Sequence, residues 1–129
     1  MAAAPADFRA AAPVGFKIKK SAAPDAVALA PAPDILAETR ARRRPGAVIV
    51  GFALETEDLT ANARAKLDAK GLDLIVVNDA HEPGAGFGVE TNRVTLIAKD
   101  GRVEPLALMT KIELADLLLD RIEVLFGAR

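Results

Sequence analysis

Three lysines cluster in Lys17-Ile18-Lys19-Lys20, in a Gly, Pro and Ala stretch that favours loop over helix. Ammonium groups on a flexible loop suit a lid over phosphates, because they neutralise charge as a substrate enters and can order on binding. A solvated surface loop is the plainer reading. Lys66 and Lys70 lie four apart on an expected helix and so share a face. Phosphate clamps use such pairs, and exposed helices also carry them. Asp7 falls at the end of the first expected strand. Ligands of open α/β sheets gather beyond the carboxyl ends of strands, and a carboxylate there can hold Mg²⁺ together with substrate phosphates. An ordinary strand-end Asp is the plainer reading. Phe52 interrupts an aliphatic run beside Gly51, whose backbone allows close approach. It could offer a nucleobase a stacking face, although one of only five Phe reads first as core.

Other groups carry less. Gly84-Ala85-Gly86-Phe87-Gly88 matches neither common phosphate-loop pattern and reads as a structural turn. Asn78-Asp79 follows a strand and could reach a ligand or form an Asx-turn. His81 has no evident triad partner, and no zinc-type ligand spacing occurs.

These residues need elements to position them. Residues 1–24 read as a strand end near Ala3–Arg9 entering a mobile loop. Ala26–Ala30 is a short strand. Pro33 suits the first turn of a helix, with Asp34 at its positive end, Ile35, Leu36 and Thr39 on one face, and Pro45-Gly46 as its stop. Arg40, Arg42, Arg43 and Arg44 then form its basic last turn. Ala47–Ala53 reads as a strand buried on both faces. Thr56 or Asp58 caps a helix to about Lys70, Gly71 ends it, and Leu72–Val77 is a second buried strand. Together these make one right-handed βαβ unit. Asp100-Gly101 turns a hairpin between Arg93–Ala98 and Arg102–Leu108. Thr110 and Glu113 spell a capping box before a last helix, with Ile112, Ala115, Leu118, Leu119, Ile122 and Leu125 as its apolar stripe. The fold expected is α/β: three layers, a Rossmann-like mostly parallel sheet and an antiparallel hairpin near the C-terminus.

Composition narrows the class. The 129 residues are 51% apolar, but much of that is alanine, and the bulky remainder suffices for one core. The absence of Cys excludes disulfides, thiolate metal sites and Cys nucleophiles. No run is long enough to span a bilayer and no signal peptide is evident, so a soluble, cytoplasmic domain is expected. The net charge of −1 argues against nucleic-acid binding. Even so, residues 1–50 carry eight Lys/Arg against four Asp/Glu, which could face a polyanionic ligand.

The order of the motifs says more than any one of them. Ala6-Asp7-Phe8-Arg9, Lys17-Ile18-Lys19-Lys20, Pro33-Asp34-Ile35-Leu36, Gly51-Phe52-Ala53-Leu54-Glu55-Thr56, Ala63-Arg64-Ala65-Lys66 with Lys70-Gly71, Asn78-Asp79, and Gly86-Phe87 with Asn92 follow one another along nearly the whole chain. In this order they resemble phosphopantothenate–cysteine ligase, the synthetase half of the bacterial bifunctional coenzyme A biosynthesis flavoprotein. The resemblance implies condensation of 4′-phosphopantothenate with cysteine. CTP first activates the carboxylate as an acyl-cytidylate, then the cysteine amine attacks and CMP leaves. Positioned cations would supply much of that catalysis.

By the same resemblance, Asp7 is a nucleotide-site and Mg²⁺-binding aspartate. Lys17 is the first lysine of a catalytic lid, contacting the triphosphate or the activated intermediate. Pro33, Asp34, Ile35 and Leu36 are a nucleotide-contacting helix start. Phe52 lines the CTP pocket, and Lys66 and Lys70 are further nucleotide-site lysines. No flavin is expected. Three features depart from the family. Ala32 stands where Asn is usual, and Leu54 stands where Ala is usual. The family's first βα unit, with its glycine-rich turn and catalytic asparagine, has no counterpart. The expectation is thus a single partial domain, 1–129, that pairs as a dimer or with a missing half. The contrasting expectation is a non-catalytic nucleotide-binding or structural remnant.

Overall fold

The computed structural model describes residues 6–79, 81–83 and 88–127. The chain divides into two compact units between Glu38 and Thr39.

In the first unit, β1 (Phe8–Ala10) pairs antiparallel with β2 (Leu29–Pro31), Arg9 opposite Ala30. The ribbon is closed by Ala11 N donating to Ala28 O at 2.9 Å and by Ala32 N donating to Asp7 O at 2.8 Å. Two expectations change. The strands form a separate antiparallel ribbon, the second lying at Leu29–Pro31 instead of Ala26–Ala30, while residues 3–5 of the expected first strand lie outside the described residues. Asp7 stands at the amino end of β1, because its carbonyl is the last acceptor of the ribbon. Between the strands, residues 11–28 form an exposed loop with a 3₁₀ turn at Lys20–Ala22. No described residue of this unit is buried.

A short helix α1 (Ile35–Glu38) follows. The Asp34 carboxylate accepts from Ala37 N at 3.1 Å, and Asp34 O accepts from Glu38 N at 2.8 Å. Asp34 is therefore the N-cap, and Pro33 lies just before the helix instead of in its first turn.

The second unit is built on β3 (Val50–Glu55), α2 (Leu59–Lys70) and β4 (Leu74–Asp79). β3 and β4 are parallel, Val50 opposite Leu74 and Glu55 opposite Asp79, so the expected βαβ unit is present. After β5 (Thr91–Asn92) come β6 (Val94–Ala98) and β7 (Val103–Pro105), the expected hairpin. Its turn is set by Gly101 at φ +93 and by Asp100 Oδ1 accepting from Arg102 N at 3.0 Å. β8 (Met109–Thr110) pairs antiparallel with β5 and leads into α3 (Lys111–Gly127).

The main sheet runs β3-β4-β6-β7. β4 also pairs antiparallel with β6, so this α/β sheet is mixed. Leu74, Val76, Val94 and Leu96 pack with Leu114 and Leu118 of α3 on one face. α2 packs on β3 and β4 at the other face, giving three layers.

Local chemistry explains the element ends and some departures. Gly71, at φ +58, ends α2 as expected, with Leu72 N donating to Leu67 O at 2.9 Å. The capping box of α3 is formed. Glu113 N donates to Thr110 Oγ1 at 3.2 Å, and Glu113 Oε2 accepts from Thr110 N at 2.8 Å. Asp58 stands at the N-cap of α2, but at φ 44 its carboxylate makes no capping bond. The arginine run does not form the last turn of one long helix. α1 stops at Glu38, and Arg40–Arg42 form a 3₁₀ turn.

β3 is not buried on both faces. Gly51, Ala53 and Glu55 are buried, while Phe52 and Leu54 are exposed, because the core that α3 makes on the other face is built on β4 and β6 and includes neither Phe52 nor Leu54. The α3 stripe is also rotated from expectation. Leu114 and Leu118 are buried, with Leu117, Ile122 and Leu125 partly so, whereas Ile112, Ala115 and Leu119 are exposed. Apolar residues occupy more than half of this helix's circumference, so composition alone did not single out the sheet-facing side.

Candidate functional site

The carboxyl ends of the two parallel strands meet at Glu55 and Asp79, which are register partners. Strand alternation sends Gly51, Ala53 and Glu55 to the face that α2 covers. Along α2, Ala63 and Leu67 are buried and form the sheet-facing seam. Lys66 and Lys70 fall on the same side of the helix, at i+3 and i+7 from Ala63. The ammonium of Lys66 donates to Glu55 Oε1 at 2.6 Å. The Glu55 side chain is 9% exposed and that of Lys66 46%. A carboxylate so enclosed must be paired, and a half-exposed ammonium is its partner. The pair leaves a cation held at the carboxyl end of β3, the end where open α/β sheets receive ligands.

Neighbouring polar side chains are also held. Asp79 Oδ1 accepts from His81 N at 2.8 Å, which is the Asx-turn among the two sequence readings. Buried Asn92 donates from Nδ2 to Asn78 Oδ1 at 3.1 Å, and its own Oδ1 accepts from Arg93 N at 3.0 Å. Arg93 pairs with Glu82 at 3.0 Å. Of the glycine-rich segment, residues 84–87 lie outside the described residues, and Gly88 adopts φ +76.

The residues singled out from the sequence are distributed as follows. Lys66 stands at the strand end. Lys70 is one turn further along α2, about 6 Å toward the opposite end of the strands. Phe52 is 63% exposed, so it is not core. Its neighbours Gly51 and Ala53 face α2, which puts Phe52 on the sheet face opposite Lys66. Gly51 is not an open approach for a ligand: a Cβ there would lie 2.5 Å from Leu72 Cδ1. Asp7, Lys17, Pro33, Asp34, Ile35 and Leu36 all belong to the first unit. Lys17 is exposed in the long loop, and Leu36 is partly buried. Among the described residues no group of three or more His, Cys, Asp or Glu could enclose a metal ion. A single aspartate fits a Mg²⁺ that arrives with substrate phosphates, since that ion keeps several waters and needs only one or two carboxylates.

Glu55 was not singled out from the sequence. The signal was available, because period-two alternation from Gly51 and Ala53 carries a carboxylate onto a buried face.

Fold and site define a three-layer α/β domain with a mixed sheet and a tethered cation at the carboxyl end of its parallel strands. Residues 1–125 match the family model described as the DNA/pantothenate metabolism flavoprotein C-terminal domain. The chain belongs to that family. It is 42% identical to the coenzyme A biosynthesis bifunctional protein CoaBC of Bacillus subtilis, over 95% of this chain and 30% of that protein. It is 44% identical to a cysteine/cysteine sulfinic acid decarboxylase of an unknown prokaryotic organism, over 89% of this chain and 32% of that protein. Among solved structures it is similar to the C-terminal domain of CoaBC, with TM-score 0.67 and 32% identity over 80% of this chain and 46% of that one. The chain thus spans about a third of the length of the curated relatives it matches. Among the described residues, no helix is long and apolar enough to cross a membrane.

Proposed function

We propose that this chain serves coenzyme A biosynthesis as part of a CTP-dependent phosphopantothenate–cysteine ligase. The observation that carries the reading is the Lys66 ammonium, held at the carboxyl end of β3 in a chain whose family includes CoaBC. Lys66 meets the nucleotide phosphates, and Lys70 adds positive charge one turn away. Lys17, on the loop of the first unit, serves as a lid lysine for a triphosphate and stabilises charge as the acyl-cytidylate forms. Asp7 contributes one carboxylate to the Mg²⁺ that accompanies the triphosphate. Asp34, at the start of α1, serves a nucleotide, and Phe52, on the sheet face away from Lys66, does so only across the assembly. Catalysis takes place in an assembly, either a dimer of this chain or its association with the remainder of a longer ligase. The exposed Phe52 and Leu54 on β3 support this part of the reading.

The test is ligand-induced stabilisation. Mg·CTP at about 100 times its dissociation constant should stabilise the fold by roughly 2.7 kcal/mol, seen as a rise of several degrees in Tm. Replacing Lys17 and Lys66 together by Ala should abolish the rise; because Glu55 loses its partner the unliganded Tm should itself fall, so the rise is read against each variant's own unliganded Tm. Absence of any rise in the unsubstituted chain would favour a non-catalytic structural lobe. Sedimentation of the same samples reads the assembly state.

A further inference from the structure

We infer that Glu55 is a positioning residue for the nucleotide: it acts through Lys66 and never touches the ligand. This deepens the proposed function and rests on its claim that Lys66 meets the phosphates. Glu55 is the last residue of β3 and faces α2, and the whole residue is only 8% exposed. Burying a carboxylate there is unfavourable unless something compensates it, and the compensation comes from Lys66 Nζ at 2.6 Å. A lysine on a helix surface otherwise samples many rotamers and must lose that freedom when it grips a phosphate. Here the bond to Glu55 already restrains the side chain, so a ligand meets an ordered donor. An ammonium has three N–H groups. Glu55 takes one, and the 46% exposed side chain can present others outward.

The pair could instead act by charge alone. A carboxylate next to Lys66 reduces the positive potential that a triphosphate feels, so on charge alone its removal should strengthen binding. Positioning predicts the opposite sign. Two substitutions separate the effects. Glu55→Gln removes the charge and keeps the shape. Glu55→Asp keeps the charge and withdraws it by one methylene, so charge alone predicts no change.

The experiment is calorimetric titration of the chain with Mg·CTP, alongside Tm measurements of each unliganded variant. Lys66→Ala should weaken binding about tenfold, as expected for loss of one charge-assisted hydrogen bond. Glu55→Gln and Glu55→Asp should each weaken binding about three- to tenfold. Adding either to Lys66→Ala should weaken it no further, because both act through one ammonium. A merely structural Glu55 would lower affinity to the same extent with or without Lys66. If Glu55→Gln fails to fold, Glu55→Asp carries the same test. The inference is overturned if Lys66→Ala weakens binding while Glu55→Asp matches the unsubstituted chain or Glu55→Gln binds more tightly. If Lys66→Ala leaves the affinity unchanged, the role of Lys66 falls, and that of Glu55 with it.

Discussion

Arg43 grips the end of α2 at Gly71. Its guanidinium donates from Nη1 to Gly71 O at 2.6 Å and from Nη2 to Lys70 O at 2.8 Å. Arg40 adds a bond from Nη1 to Ala69 O at 3.3 Å. The last carbonyls of a helix have no partner within it, and its C-terminal end is negative. The planar fork of arginine satisfies two of them at once. Arg43→Ala should therefore destabilise the fold by about 1–2 kcal/mol, and Arg43→Lys by less, since it keeps the charge but loses the fork. Urea unfolding midpoints read both. Equal losses for Ala and Lys would mean that geometry, without charge, sets the contribution.

Gly51 tests close packing. A Cβ at this position would meet Leu72 Cδ1 at 2.5 Å, and Leu72 is only 1% exposed, so the leucine has little room to withdraw. Gly51→Ala should cost about 1–3 kcal/mol through overpacking. Combined with Leu72→Ala it should cost less than the sum of the two single changes, because the second makes space for the first. Strict additivity in denaturant unfolding would show that the strain is relieved elsewhere.

The parts of the fold legible in the sequence are those set by local chemistry. The glycine stop at Gly71, the Asp100-Gly101 hairpin and the Thr110–Glu113 box each depend on neighbours within a few residues, and the βαβ unit follows from the order of three locally legible elements. The arginine run was not legible in the same way. Its value near the end of one helix is real, but the carbonyls it serves belong to α2, 27 and 28 residues further along the chain. Nor could the Ala47–Ala53 run show that β3 ends the described sheet. An apolar strand has the same composition whether one face or two are covered.

The site was half legible for a related reason. Lysine spacing picked out Lys66 and Lys70, because helical period is a local property. The partner Glu55 lies on a strand, and its importance comes from burial, which depends on α2 packing over β3. Phe52 drew attention by its type, yet alternation from Gly51 places it on the other face from Lys66. Spacing along the chain identified the lysines that share a helix face but not the strand carboxylate that lies beneath it.

The pair Glu104–Arg121 gives a pH prediction with a definite sign. Arg121 donates to both carboxylate oxygens of Glu104, from Nη2 at 2.6 Å and from Nε at 3.3 Å, tying β7 to α3. That bond holds the Glu104 carboxyl below its ordinary value of 4.5, against a smaller opposing effect of burial. A carboxyl with a depressed pKa in the folded state adds stability above its unfolded value. That contribution fades as pH falls through the folded value. Both side chains are a third or more exposed, so solvent screens the pair and its contribution stays below about 1 kcal/mol. Glu104→Gln should thus unfold at slightly lower urea than the original chain at neutral pH. The gap should narrow as pH falls below the ordinary glutamate value and close once the original glutamate is itself protonated in the folded state. High salt at neutral pH should shrink the same gap by screening. A gap that stays constant into acid would assign the loss to packing of the side chain and not to its charge.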